Sequence, residues 1–410
     1  MLKRLLINNK ELIKYVALSY FDKAIIFLVP LAVLFLFKEK AVYVELEYIY
    51  SIVIICVPIL GLGLPGYFFF NYRKTKLKRE AIVKILKSFH ASYIGLFVIA
   101  LILVLFHYVI YPFEKHIILI VVRALFILTV TFLASFYRLI DKAHKALFIT
   151  LSSNFISILF LFGFYVLDKD FELWVVFIGQ ILFILFYFIK ISYRVIHKYK
   201  TYLFNTIFNT LKNSIFFSWP SIIQVFIMMF IANYGKINAI DNMSLNNGVL
   251  LSFVMRVSMV IHLSHASIHA FILKDVYMSK GIRVISKRSL YKYLSFLFFP
   301  VAFVSIVLFI YFYFDQTIYD TNALVYVVSF IVAYTIFWCI YTYFEMYYSR
   351  ENKNIIKLYL AIGNGMIFMV LLNFLPWNFL EKITFTMFTS TTITLLISLF
   401  VFKKRGYILK

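Results

Sequence analysis

Residues 19–37 read SYFDKAIIFLVPLAVLFLF. The stretch is almost wholly apolar and long enough to carry a helix across roughly 30 Å of hydrocarbon. Yet it holds Asp22 and Lys23 side by side near its start. Similar apolar runs follow one another along the 410 residues, and 63% of the chain is hydrophobic with a mean hydropathy of +0.92. Soluble domains are about 45–50% apolar, so no soluble fold of this length could hide the excess. A transmembrane β-barrel needs short alternating segments, and these runs are continuous. The predicted class is an all-α polytopic membrane protein.

Twelve spans are predicted, at about 15–37, 48–71, 90–111, 117–137, 147–167, 173–190, 214–235, 247–271, 293–314, 323–348, 358–375 and 384–402. An even number puts both termini on one side. With that side inside, the inner connections and termini hold 32 of the 41 Lys and Arg and the outer connections hold 6. This is a strong positive-inside pattern. It predicts a multi-pass protein of the inner (cytoplasmic) membrane with cytoplasmic termini. It also accounts for the net charge of +23 without a nucleic-acid partner. The outer connections carry most of the acids, among them Glu39, Glu45, Glu47, Asp168, Asp170, Asp315 and Asp320.

The predicted organisation is a six-helix bundle over 1–190, a basic amphipathic cytoplasmic linker over 191–212, and a second six-helix bundle over 213–410. NNKELIKYVALSY before span one and NTLKNSIFFSWPS before span seven share a layout of short lysine-bearing segment, then span. Residues 3–14 read as a basic amphipathic segment on the inner surface rather than as a cleavable signal. Two halves of six spans are parallel repeats about an axis along the membrane normal, a design common in transporters. No connection is long enough for a soluble catalytic domain. There is no P-loop, HExxH or GxSxG, so neither an enzyme nor a cofactor is expected. Cys56 and Cys339 lie in spans and suggest neither disulfide nor metal. The acidic triplet DKD at 168–170 reads as a solvated outer turn.

A charge at the bilayer centre costs at least about 2.5–3.5 kcal/mol, so charged residues in spans usually face protein or a wet cavity. Three cations stand inside spans: Lys23, Arg123 and Arg256. Lys23 lies roughly 12 Å in from the inner edge. It is either a snorkelling or Asp22-paired lysine or a cavity cation; adjacent residues sit about 100° apart on a helix, so Asp22 does not share its face. Arg123 and Arg256 fall nearer the outer edge, one in each half, and either snorkel outward or face a shared cavity. IHLSHASIHA carries His262, His265 and His269 at helical spacing on one face, with Ser258 continuing it. Such a stripe serves hydrogen-bonded packing, proton coupling, or contact with phosphate or sugar. No further ligand suggests a metal site. Gln224, Glu345 and Asn364 are further polar residues in spans, Glu345 close to the inner end. Together these groups form a cationic or proton-accepting ladder suited to an acidic headgroup.

SYFDKAIIFLVPLAVLFLF, a short acidic loop and then VPILGLGLPGYFFFNYRKTK resembles the start of Wzx-type polysaccharide flippases. SWPSIIQVFIMMFIANYGK resembles the first span of their second half. This chain has FDKA where a glycine often follows the basic residue. The family belongs to the multidrug/oligosaccharidyl-lipid/polysaccharide (MOP) exporter superfamily. The resemblance implies two bundles around a V-shaped cationic cavity that opens alternately to each side. It also implies translocation of a polyprenyl-pyrophosphate-linked oligosaccharide to the outer leaflet, for O-antigen or capsule synthesis. Membrane lipid, a proton or sodium gradient, and other proteins of polysaccharide assembly are the implied partners. Only Lys23 matches a motif position; Arg123, Arg256, Asp22, Gln224 and the histidines rest on the residue argument. The alternatives are a drug or metabolite exporter of the same superfamily, and a membrane polysaccharide polymerase, which usually carries a large outer loop that this chain lacks.

Overall fold

The computed structural model describes residues 21, 24–25, 27–64, 67, 78–110, 116–139, 143–167, 172–198, 204–278, 284–285, 287–314, 321–351 and 353–409. Asp22, Lys23, the segment 3–14, the triplet 168–170, Asp315 and Asp320 lie outside them. The described residues are overwhelmingly helical. In chain order the helices are α1 over 27–35, α2 Lys40–Leu60, α3 Lys78–Val109, α4 Ile117–Leu139, α5 Ala143–Val166 and α6 Ile178–Lys198. Then come α7 Phe204–Ile237, α8 Leu245–Met278, α9 Lys287–Phe314, α10 Thr321–Arg350, α11 Asn354–Phe374 and α12 Phe379–Lys404. A 3₁₀ turn, Leu173–Phe177, leads into α6, and one helical turn, Ala239–Asn242, precedes α8.

Among the described residues ten helical segments are long and apolar enough to cross a membrane. They correspond to ten of the twelve predicted spans. Most of the N-terminal half of the first span is outside the described residues, and the fifth keeps a shorter apolar core, Asn154–Val166, within α5. Large apolar side chains such as Phe298, Phe299, Phe309 and Phe314 on α9 are exposed. That inverts the soluble pattern and suits contact with lipid. The protein is an all-α, multi-pass membrane protein.

The second span begins earlier than predicted. Helix α2 starts at Lys40, not 48, so Glu47 sits inside a helix and is only 1% exposed, rather than in an outer loop. The helix ends in a tight turn at Gly61, Leu62 and Gly63, where Leu62 and Gly63 take positive φ of 49° and 64°. The turn presses on the start of α7: Ser214 donates to the Leu62 carbonyl at 2.8 Å and Ser218 to that of Gly63 at 3.3 Å. A Cβ on Gly63 would stand 2.1 Å from that of Ser218, so glycine is demanded both by conformation and by space.

The chain divides into two compact units, Met1–Ile222 and Ile223–Lys410. The core of the first is aromatic. Phe89, Tyr93, Phe126, Phe132 and Tyr187 are buried together from α3, α4 and α6, with Phe89 and Phe132 rings 5.0 Å apart and Phe97 stacked on Phe188 at 4.4 Å. In the second unit α10 packs on α8 and α12. The face of α12 is built from Thr384, Thr386, Ser390, Thr391, Thr394 and Ser398, all buried. Thr384 and Thr394 return their hydrogens to carbonyls one turn back, at 3.0 and 2.8 Å. Within a bilayer the hydrophobic effect does not drive helices together, and small hydroxyl residues let backbones approach closely. A two-residue strand after α8, β1 (Val284–Ile285), pairs in parallel with β2 (Ile408–Leu409) at the C-terminal end.

Candidate functional site

Arg123 stands about 9 Å along α4 from its first residue, and Arg256 about 16 Å along α8. Both are buried. Helix α8 begins further ahead of its arginine than α4 does, so the two helical depths are less alike than the span predictions implied. The Arg123 guanidinium lies 4.2 Å from the centre of the Tyr50 ring on α2 and 5.6 Å from that of Phe126. Tyr50 is itself braced edge-on by Phe177 of the 3₁₀ turn, centroids 6.4 Å apart. Glu47 lies one turn before Tyr50 on the same face of α2, so a buried acid and a buried cation share this part of the first unit. A cation over an aromatic face is stabilised by the ring quadrupole, by about 2 kcal/mol when desolvated.

His262 and His265 of α8 face α10 within the second unit. The His262 ring meets Trp338 edge-on at 4.4 Å, with Nδ1 3.8 Å from the Cys339 sulfur. His265 is buried and has both ring nitrogens engaged: Nδ1 lies 2.6 Å from the Tyr293 hydroxyl of α9, and Nε2 3.0 Å from the Thr342 hydroxyl of α10. Tyr293 is also placed to donate to the Cys339 carbonyl at 2.8 Å, and Thr342 to the Trp338 and Cys339 carbonyls at 3.0 Å. Each hydroxyl has one hydrogen. If both donate to carbonyls, both imidazole nitrogens must donate, and the ring is an imidazolium. A neutral ring requires one hydroxyl to turn toward it. The neutral and charged forms of the ring thus correspond to different orientations of the Tyr293 and Thr342 hydroxyls. His269 is on the same helix, with its side chain outside the described residues.

Gln224 on α7 is buried and donates from Nε2 to Glu345 Oε1 on α10 at 2.6 Å. Glu345, near the end of α10, is buried inside the unit. Lys357, one of the 32 cations assigned to the inner connections and termini, is instead buried in the first turn of α11. No periodic signal in the chain points to the burial of Glu345 and Lys357, because each lies near the end of a span where charges are ordinary. Among the described residues no group of three His, Cys, Asp or Glu could hold a metal.

Neither a protein-family model nor a curated protein matches the chain. Solved structures do. The lipid II flippase MurJ, in an inward closed conformation, matches with a TM-score of 0.62 at 16% identity, over 97% of this chain and 88% of that one. The fold is that of the MATE and MurJ transporters. The MATE multidrug transporter DinF-BH matches with a TM-score of 0.62 at 13% identity, over 96% and 95% of the two chains. An inward-facing MATE family transporter of the MOP superfamily matches at 0.54 and 14% identity, over 90% and 92%. At these identities the MATE/MurJ likeness fixes the architecture alone.

Proposed function

We propose that this protein is a lipid-linked oligosaccharide flippase of the inner membrane. It moves a polyprenyl-pyrophosphate-linked oligosaccharide from the cytoplasmic to the outer leaflet by alternating access, for surface polysaccharide such as O-antigen or capsule. One observation carries the reading: Arg123 and Arg256 are retained and buried in membrane helices, where an arginine is costly unless it is used. A diphosphate takes up such cations through charge-assisted hydrogen bonds, for which the planar guanidinium is well shaped. Lys23, the one residue that meets a Wzx motif position, joins them as the inner cation. One fold neighbour, MurJ, is a lipid II flippase, which supports the substrate class. The six-span halves, cytoplasmic termini and the amphipathic connection 191–212 belong to the same reading.

Energy coupling is assigned to His265 and its neighbours His262 and His269, with Asp22 and Gln224 as further polar groups. The hydroxyl pair around His265 supplies two distinct hydrogen-bonded states of the kind that proton coupling requires. The exporter reading keeps one observation in its favour, the DinF-BH match, equal in TM-score to MurJ.

The test is a strain lacking the gene. Lipid-linked oligosaccharide accumulates on the inner leaflet, and plasmid-borne wild type clears it. Single changes Lys23→Gln, Arg123→Gln and Arg256→Gln each slow that clearance. If all three clear it at the wild-type rate, the cationic route is wrong. If nothing accumulates, the substrate class is wrong.

A further inference from the structure

Helices α10 and α12 run parallel, and their rings meet in step: Phe330 with Phe385 at 5.4 Å, Phe337 with Phe388 at 5.7 Å and Phe344 with Phe402 at 5.4 Å. Beside these rings runs a second, polar set. Helix α10 carries Tyr334, Tyr341 and Tyr348 at steps of seven, and α12 carries Thr384, Thr391 and Ser398 at the same step. Residues seven apart share a helix face. One offset of 50 positions relates all three pairs. The last pair meets directly, the Tyr348 hydroxyl donating to the Ser398 carbonyl at 3.5 Å. Between parallel helices the same offset sets Tyr341 opposite Thr391 and Tyr334 opposite Thr384. The three pairs extend over about 21 Å of helix.

All six side chains are at most 3% exposed. Thr384 returns its hydrogen to carbonyls of its own helix. The hydroxyls of Tyr334, Tyr341, Thr391 and Ser398 are enclosed and have no hydrogen-bond partner among the described residues. That of Tyr341 is near Glu345, one turn on, without the geometry of a hydrogen bond. A buried hydroxyl left unbonded costs stability, and phenylalanine or valine would fill the same space without one. What satisfies these groups must donate as well as accept, because each hydroxyl does both. A cation would meet only the oxygens and leave the hydrogens unbonded. Water does both, and needs two to four polar partners. We propose that ordered waters bind in file between α10 and α12, bridging Tyr334, Tyr341, Thr391 and Ser398. The file passes Glu345, which shares the Tyr341 face of α10, and so brings solvent to a carboxyl enclosed within the unit. Such a file is independent of the cargo.

The experiment has two readouts on the full-length protein in detergent. The first is brief X-ray radiolysis, which makes hydroxyl radicals from water wherever water is bound, with side-chain oxidation followed by mass spectrometry. Tyr334 and Tyr341 are oxidised at least about threefold faster than Tyr293 and Tyr343, which are equally buried but have hydroxyls bonded within the protein. The second is thermal melting of Tyr334→Phe and Thr391→Val, each of which deletes one hydroxyl at nearly constant volume. A dry, unbonded hydroxyl is a liability, so its loss would raise the melting temperature. A hydroxyl that anchors water loses those bonds, and each variant melts about 1 °C or more below wild type. Oxidation of Tyr334 and Tyr341 no faster than of Tyr293 and Tyr343 would overturn the proposal, as would variants that melt at or above the wild-type temperature. If neither variant purifies, radiolysis of the wild type decides alone.

Discussion

The Arg123 guanidinium rests on the face of Tyr50, 4.2 Å from the ring centre. A guanidinium held this way keeps its charge without being exposed to lipid, and its edge N–H groups stay directed rather than free to rotate. Replacing Tyr50 by Leu keeps the volume roughly but removes the ring face, and is expected to lower the melting temperature by a few degrees, in line with about 1–2 kcal/mol. Arg123→Lys keeps the charge and loses the planar fork; flipping falls but persists, whereas Arg123→Gln drops it at least about tenfold. Rates of lipid-linked oligosaccharide clearance separate the two. Equal loss in both variants would mean that the charge is not what matters.

Gly63 is fixed by geometry rather than by chemistry. Gly63→Ala places a methyl in space held by Ser218 and strains a positive φ, and overpacking of this kind costs about 1–3 kcal/mol. The variant should melt several degrees lower with wild-type substrate selectivity. Adding Ser218→Gly relieves the clash but not the strain, so it restores part of the loss. A Gly63→Ala protein with an unchanged melting temperature would contradict the tight turn.

The His265 network makes a prediction that packing alone does not. Tyr293→Phe removes the hydroxyl at Nδ1 and leaves that of Thr342 at Nε2. Flipping in Tyr293→Phe should shift its pH profile while retaining activity at its new optimum, and His265→Gln should flatten the profile. A Tyr293→Phe protein that merely loses stability, with its pH profile unmoved, would make the network structural.

The C-terminal end is held beside the turn between α10 and α11. Burial works against ionisation of Glu351, but the hydrogen bond from Lys353, with Tyr407 and Arg350 nearby, outweighs it and holds the carboxyl below its ordinary value of 4.5. A folded-state value below the unfolded one means stability that is full above about pH 4.5 and is lost as pH falls through the depressed value. Burial, then the Glu351 carboxylate, pushes the Tyr407 phenol upward. The exchange protection factors of Ile408 and Leu409, paired with Val284 and Ile285, should therefore fall in acid once the pH dependence of intrinsic exchange is divided out. Glu351→Gln should exchange faster at neutral pH and lose the acid dependence. Retention of the same acid slope in that variant would exclude Glu351 as its source.

The class, ten of the twelve span positions and the inward facing of His262 and His265 were legible because they depend on long apolar runs and on helical spacing. Ser258, His262 and His265 fall at steps of three and four, and all pack inside the second unit. What the spacing missed lies at span ends. Glu47 and Lys357 read as loop charges, because hydropathy places a boundary where the first charge appears, while the helices continue past it. Glu47 is enclosed because α2 starts at Lys40, and Lys357 because the first turn of α11 is inside the protein. The pairing of Gln224 with Glu345 joins residues 121 positions apart, and no periodicity reports such a contact. The Gly-Leu-Gly turn was visible as a motif, but the serines it presses against were not.

The most direct measurement is flipping in proteoliposomes that contain only this protein. A fluorescent polyprenyl-diphosphate oligosaccharide is placed in both leaflets, and the fraction reachable by a membrane-impermeant quencher is followed in time. The account predicts that wild type brings nearly all of the lipid within reach, that Arg123→Gln and Arg256→Gln leave about half protected, and that a neutral polyprenyl-linked sugar is not moved. Transport of the neutral lipid at the same rate, or no transport of the diphosphate by wild type, would contradict it.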